Sequence, residues 1–137
     1  MKLIDLTTNA ELSLPNDLLW VNEFEWSPVA ANNQYTLGGA LVIQQGVRLA
    51  GRPINLQPPE QDMAFVPRST VQTMRDWAAI PARKFKLVFE YPTDTRQFVV
   101  VFAHAEDPIS AEPAKGFPQH RADDWFRISP KFIEVTL

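Results

Sequence analysis

Residues 35–56 read YTLGGALVIQQGVRLAGRPINL, and the fold turns on how this stretch is paired. Tyr35, Leu37, Gly39, Leu41 and Ile43 alternate with Thr36, Gly38, Ala40, Val42 and Gln44, the period of two that a pleated strand imposes. Gln45-Gly46 supplies a turn, and the return arm puts Ala50, Ile54 and Leu56 on one face. Gly51-Arg52-Pro53 interrupts that arm, where a regular central strand would avoid both glycine and proline. The pattern predicts a long antiparallel β-hairpin with no catalytic chemistry of its own.

Toward the N-terminus, residues 18–26 (LLWVNEFEW) place Trp20, Phe24 and Trp26 on one face of an extended chain and Val21, Glu23 and Glu25 on the other. A buried aromatic face and an exposed acidic face are expected, closed by Ser27-Pro28. Residues 30–34 form a polar connection into the hairpin, with Asn32-Asn33 as its turn. Earlier still, Leu12 and Leu14 mark a short strand that ends at Pro15-Asn16-Asp17.

Toward the C-terminus, residues 57–67 hold three prolines and little periodicity, as in a crossing loop. A helix is expected over residues 69–80. Ser69 and Gln72 fit a capping box, Val71, Met74, Trp77 and Ala78 form an apolar stripe, and Pro81 stops it. Phe85, Leu87, Phe89 and Tyr91 then alternate with Lys84, Lys86, Val88 and Glu90, Pro92-Thr93-Asp94-Thr95 turns the chain, and RQFVVVFAH returns it. That return strand is apolar on both faces, as for a central strand. Residues 105–123 lack periodicity and carry Pro108, Pro113 and Pro118. Loops of this length usually serve binding or are disordered, and a partner-contacting arm is the reading favoured here. Two short strands, 125–128 and 132–135, hinged at Ser129-Pro130, close the chain. Six to eight strands and one helix predict a single domain over residues 1–137 of the α+β, mainly β class. The expected form is a small β-barrel or sandwich with one packed helix and an extended β-hairpin.

Composition narrows the function classes. Lys plus Arg total 13 against 16 Asp plus Glu, so the chain lacks the basic excess that neutralising phosphates requires, and nucleic acid is not an expected partner. The absence of cysteine excludes disulfides and thiolate metal sites. With no apolar run of signal-peptide or membrane-spanning length, membrane association is not expected either, and the cytoplasm is the expected place of synthesis and assembly.

Candidate chemistry is sparse. Glu23 and Glu25 at i, i+2 would hold carboxylates roughly 7 Å apart, near the separation of an inverting glycosidase, although such a pair is more often a solvated face. His104, Glu106 and Asp107, and His120, Asp123 and Asp124, offer metal-ligating atoms without zinc-site spacing. Ser69, Ser110 and Ser129 sit in no nucleophile elbow, and no glycine-rich phosphate loop is present, so neither a cofactor nor an enzymatic activity is expected. Trp20, Trp26, Trp77 and Trp125 would suit a carbohydrate-binding platform if exposed, but each falls on the apolar side of its element, as core tryptophans do. Arg48, Arg52, Arg68 and Arg75 surround the hairpin and helix start. An inward Arg52 would need a carboxylate such as Glu23 or Glu25, and otherwise serves an interface.

Trp20, the run Glu23-Phe24-Glu25-Trp26-Ser27-Pro28-Val29, the run Tyr35-Thr36-Leu37-Gly38-Gly39-Ala40-Leu41, Gly46, and Gly51-Arg52-Pro53-Ile54-Asn55-Leu56 occur in this order. A helix, a hairpin returning as F-V-V-V-F and a proline-containing loop follow. This series resembles the small tail and baseplate proteins of tailed phages and prophages, of distal-tail, tube-like or ripcord type. The resemblance implies a virion structural protein that forms or joins a homo-oligomeric ring around the tail tube or hub. Its implied partners are other tail and baseplate proteins. Contacts are then expected from residues 35–56, 57–67 and 105–123, at Tyr35, Leu41, Arg48, Arg52, Pro58, Phe65, Pro108, Pro113 and Phe117.

Overall fold

The computed structural model describes residues 1–116 and 120–136. In chain order the elements are β1 (Lys2–Asp5), β2 (Glu11–Ser13), β3 (Leu19–Trp20), β4 (Val29–Tyr35), β5 (Leu41–Val47), β6 (Pro53–Gln57) and β7 (Phe65–Pro67). The helix α1 (Arg68–Ala78) follows, then β8 (Phe85–Val88), β9 (Gln97–Phe102), a short 3-10 turn over His104–Glu106, β10 (Ile109–Pro113) and β11 (Trp125–Glu134). The fold is α+β and mainly β, with antiparallel pairing throughout the described strands. The main sheet runs β2-β1-β8-β9-β11-β6-β3 and stays open, with β2 and β3 at its edges, so the expected barrel does not close.

The spine of the sheet is β11. Its first half pairs with β7 on one side (Phe126 opposite Val66) and β10 on the other (Ala111 opposite Ile128). Its second half pairs with β6 (Phe132 opposite Ile54) and β9 (Phe132 opposite Phe102). The expected hinge at Ser129-Pro130 is therefore corrected to one continuous strand. Pro130, fully buried, stands where the neighbours change, and its missing N–H suits it to the point where one ladder hands over to another. Residues 105–123 are likewise not one long loop. Serine and alanine between prolines hid β10, which pairs with β11 from Ile109 to Pro113.

The core is built on alternation. Leu3, Phe85, Leu87, Val100, Phe102, Ile54, Leu56, Ile128 and Phe132 are all buried. Trp77 of α1 stacks on Phe85, Phe85 meets Phe102 edge-on at 5.2 Å, and Phe102 meets Phe132 at 5.0 Å, so aromatic contact runs from the helix across three strands. Met74 is buried, and Val71, Trp77 and Ala78 pack beside it, as the helical stripe predicts. The capping box does not form. Pro67 occupies the N-cap, and the N–H groups of Arg68 and Ser69 donate to the carbonyls of Asp124 (2.8 Å) and Ala122 (3.0 Å), so orphan donors of the first turn are met by tertiary contacts. The second hairpin forms as expected and β9 is central, but Val99 and Val101 on its other face are only half-buried.

Among the described residues Asp5 is the one charged side chain that is buried. Its Oδ1 accepts from the Thr7 N–H at 2.8 Å, and Arg83 Nη1 lies 3.1 Å from its Oδ2, close enough to compensate the charge although off the hydrogen-bond direction.

Candidate docking surfaces

The hairpin of residues 35–56 is corrected in register. β4 pairs with β5, from Val29 opposite Val47 to Tyr35 opposite Leu41, and the turn is Thr36–Ala40 rather than Gln45-Gly46. Glycine decides this. Gly39 takes φ +84°, which an L side chain rarely adopts, and the Thr36 hydroxyl accepts from the Ala40 N–H at 3.1 Å to close the loop. Residues 30–34, expected to be a connection, are strand. Gly46 lies inside β5 opposite Ala30, and Gly51, φ +106°, ends the excursion so that β6 can join the main sheet.

This pairing makes the hairpin amphipathic. Opposed residues in an antiparallel pair share a face, so Val29, Val47, Ile43, Tyr35 and Leu41 line one side together with Ala31, Asn33 and Gln45. Asn32, Gln34, Gln44 and Gly46 dominate the other. Every residue of β5 is exposed, as is all of β4 except half-buried Ala30. Tyr35 and Val47 are each 76% exposed, and Leu37 at the tip is fully exposed. Residues 29–47 carry no charge. Charge and proline are the usual protections of a free strand edge, and this arm has neither.

The arm's root is tied down. Arg48 N–H donates to the Pro28 carbonyl at 2.6 Å, and the Arg52 guanidinium lies 5.3 Å from the Trp26 ring centre. Half-buried Arg52 thus packs on an aromatic ring, and not on Glu23 or Glu25, the partners that an inward-facing Arg52 would need. Beyond the root, Gly51 N–H donates to the Glu134 carbonyl and Glu134 N–H to that of Arg52, joining the arm to the end of β11.

Residues 18–26 do not form one strand. Val21 N–H donates to the Asn55 carbonyl, and the buried Asn22 Oδ1 accepts from the Asn55 N–H, which turns the chain after Trp20. Trp20 is buried, whereas Phe24 is 91% exposed, so the aromatic face is divided. Glu23 is bound by Arg96 Nη2 at 2.5 Å, and Asp94 accepts from the same guanidinium at 2.7 and 2.9 Å. The Arg96 guanidinium also lies 5.4 to 5.8 Å from the Trp20, Phe89 and Phe98 rings. Hydrogen bonds from Arg96 hold the Asp94 carboxyl below its usual range, and the two carboxylates raise the Arg96 pKa. Glu23 thereby serves as a counter-ion to Arg96.

A second apolar surface lies at the other end of β11. Phe65, Ala114 and Trp125 line a shallow, open apolar depression, with Trp125 55% exposed at its edge. Phe65 and Pro113 meet beside it in a polar groove where Arg127 pairs with Glu112. Pro58 lines a neighbouring groove with Ser110 and Ser129. Pro108 is half-buried and its carbonyl accepts from Lys131 N–H at 2.8 Å, which makes it part of the sheet's stitching. The structure so brings Tyr35 and Leu41 together on the arm, Arg48 and Arg52 at its root, and Pro58, Phe65 and Pro113 around the first half of β11. Phe117 lies outside the described residues.

Sequence reasoning missed Val29 and placed Trp125 in the core, and within the expected contact stretch of residues 35–56 it did not single out Leu37, Ile43 or Val47. The uncharged run over 29–47 and the Gly38-Gly39 pair were the available signals. His120 Nδ1 lies 3.7 Å from Asp124 Oδ2, but among the described residues no three His, Asp or Glu side chains gather as a metal site. No helix among them is long and apolar enough to cross a membrane. No protein-family model, curated protein or solved structure matches this chain.

Proposed function

We propose that this protein is a non-enzymatic assembly subunit of a phage-type tail tip or baseplate. In this reading it forms or joins a ring around the tail tube or hub and is held there by the β4–β5 arm. One observation carries the proposal: a charge-free hairpin stands almost wholly in solvent, with Val29, Tyr35, Leu41, Ile43 and Val47 exposed on one face and only Asn33 and Gln45 as polar side chains among them. An isolated two-stranded hairpin is at best marginally stable in water, and its exposed apolar area is reduced only when a neighbour covers it. The phage setting comes from the series of residues running from Trp20 through Leu56. Mass spectrometry of purified particles tests it. Presence at a few copies relative to the major tube protein supports a tail-end ring, and absence from particles removes the virion reading.

A carbohydrate-binding module is the alternative, and exposed Trp125 beside Phe65 is the observation in its favour. Titration with oligosaccharides while following tryptophan fluorescence checks it, with no quenching at millimolar sugar counting against it.

A further inference from the structure

We infer that the partner of the arm is a second copy of this chain, whose Phe65–Ala114–Trp125 depression receives the hairpin tip. The inference rests on the assembly reading above and adds the occupant and its seat. Three features lead to it.

First, the two surfaces match in chemistry. The tip presents Leu37 between Tyr35 and Leu41 in a charge-free run of chain, and among the described residues the depression is lined by apolar Phe65, Ala114 and Trp125. The site is a shallow, open depression against which a large side chain of the tip can lie, in contact with Trp125 and Phe65. Second, the surfaces stand at opposite ends of one strand. The arm's root bonds to Glu134 and the depression lies at Trp125, the two termini of β11. Ten residues at about 3.3 Å each separate them by up to about 30 Å. A surface and its complement at opposite ends of a subunit are what a head-to-tail contact needs. Such a contact repeats from copy to copy and closes into a ring when the rotation allows.

Third, the area suffices. Val29, Tyr35, Leu37, Leu41, Ile43 and Val47 are all exposed. Together they bring the arm's apolar surface to the order of the ~800 Å² that each partner gives to a standard interface. A contact built on the Trp125 depression alone would fall well short of that, so the arm's apolar face must run on over the neighbour beyond the tip.

Sedimentation velocity on the full chain tests the inference, from about 1 μM to a few hundred μM. The expected result is concentration-dependent self-association beyond a dimer. Leu37→Asp on the arm and Trp125→Ser at the depression should each weaken it by about thirtyfold or more, as loss of a central anchor does. Both positions are exposed, and circular dichroism with thermal melts verifies that the variants fold. Mixing them gives the decisive reading. Each variant retains one intact surface, so an equimolar mixture should form dimers and stop there. A wild-type chain that stays monomeric throughout, association unaffected by either substitution, or association lost on the arm but retained at Trp125→Ser would each overturn the inference. Detection in particles would stand in any of those cases, so failure of the self-docking inference is distinguishable from failure of the tail reading.

Discussion

The Arg52 guanidinium sits 5.3 Å from the ring centre of Trp26, joining the leg that enters the arm to the leg that leaves it. Each residue lies just outside the β4–β5 ladder, so the contact works as a clip across the root. Replacing Arg52 by Ala should leave global stability within about 1 kcal/mol, the scale of an accessible cation–π contact. It should also raise amide exchange throughout β4 and β5. Hydrogen–deuterium exchange resolved by peptide checks this, and unchanged protection in the arm would show that the backbone bond from Arg48 to Pro28 holds the root by itself.

Arg96 joins three separate pieces of chain. It binds Glu23 from the turn after Trp20 and Asp94 from the second hairpin, and packs beside Trp20, Phe89 and Phe98. Partial exposure screens the ion pairs, so Arg96→Ala is expected to cost roughly 1–2 kcal/mol, largely from the aromatic contacts. Urea denaturation measures it.

Acid sensitivity follows from the same cluster. Asp94 has a lowered folded-state pKa, chiefly through hydrogen bonds from Arg96. Its stabilising contribution is present above the unfolded carboxyl value of about 3.9 and is lost as pH falls through the depressed folded value. Asp94→Asn should therefore be less stable than wild type at neutral pH, with the difference shrinking below about pH 4. Urea midpoints between about pH 3 and pH 7 give the comparison.

Removing the arm should spare the domain. The Arg48 N–H already reaches the Pro28 carbonyl at 2.6 Å, so a Gly-Gly link can replace residues 29–47 without moving either leg. The described arm contributes nothing to the buried core, and the thermal midpoint should shift by only a few degrees. Deleting residues 106–121 should instead unfold the protein, because it takes β10 away from β11. Melting both variants separates the two outcomes.

Phe132 is fully buried against Phe102 on the spine strand. Phe132→Ala should cost about 3–5 kcal/mol by leaving a cavity among side chains that close only in part, as a chemical denaturation curve would record.

Where hydrophobic period and local turn chemistry agreed, the sequence was legible. The helix stripe at Val71, Met74 and Trp77 and the second hairpin around Pro92–Thr95 needed only local information. The arm was misread because two glycine-containing sites competed for one turn, and alternation is blind to which arms pair. Gly39 took the positive φ while Gly46 stayed in strand. β10 and the full length of β11 were hidden for another reason, since prolines that locally forbid a ladder bond are accepted where the partner strand changes. The depression at Phe65, Ala114 and Trp125 joins three distant segments, and no local pattern announces such a meeting.

The continuity of β11 bears on force. Its lateral hydrogen bonds lie across the strand axis, with a neighbour on each side in both halves. A pull between Trp125 and Glu134 is therefore carried along the covalent backbone of one extended strand, and for that strand to slide past its neighbours many lateral bonds would have to shear together. Compliance is left to the single-stranded stretch from Arg48 to Arg52 and to the clip between Arg52 and Trp26. Under tension the domain is a stiff bar hinged at one end, and the arm would swing before the sheet parts.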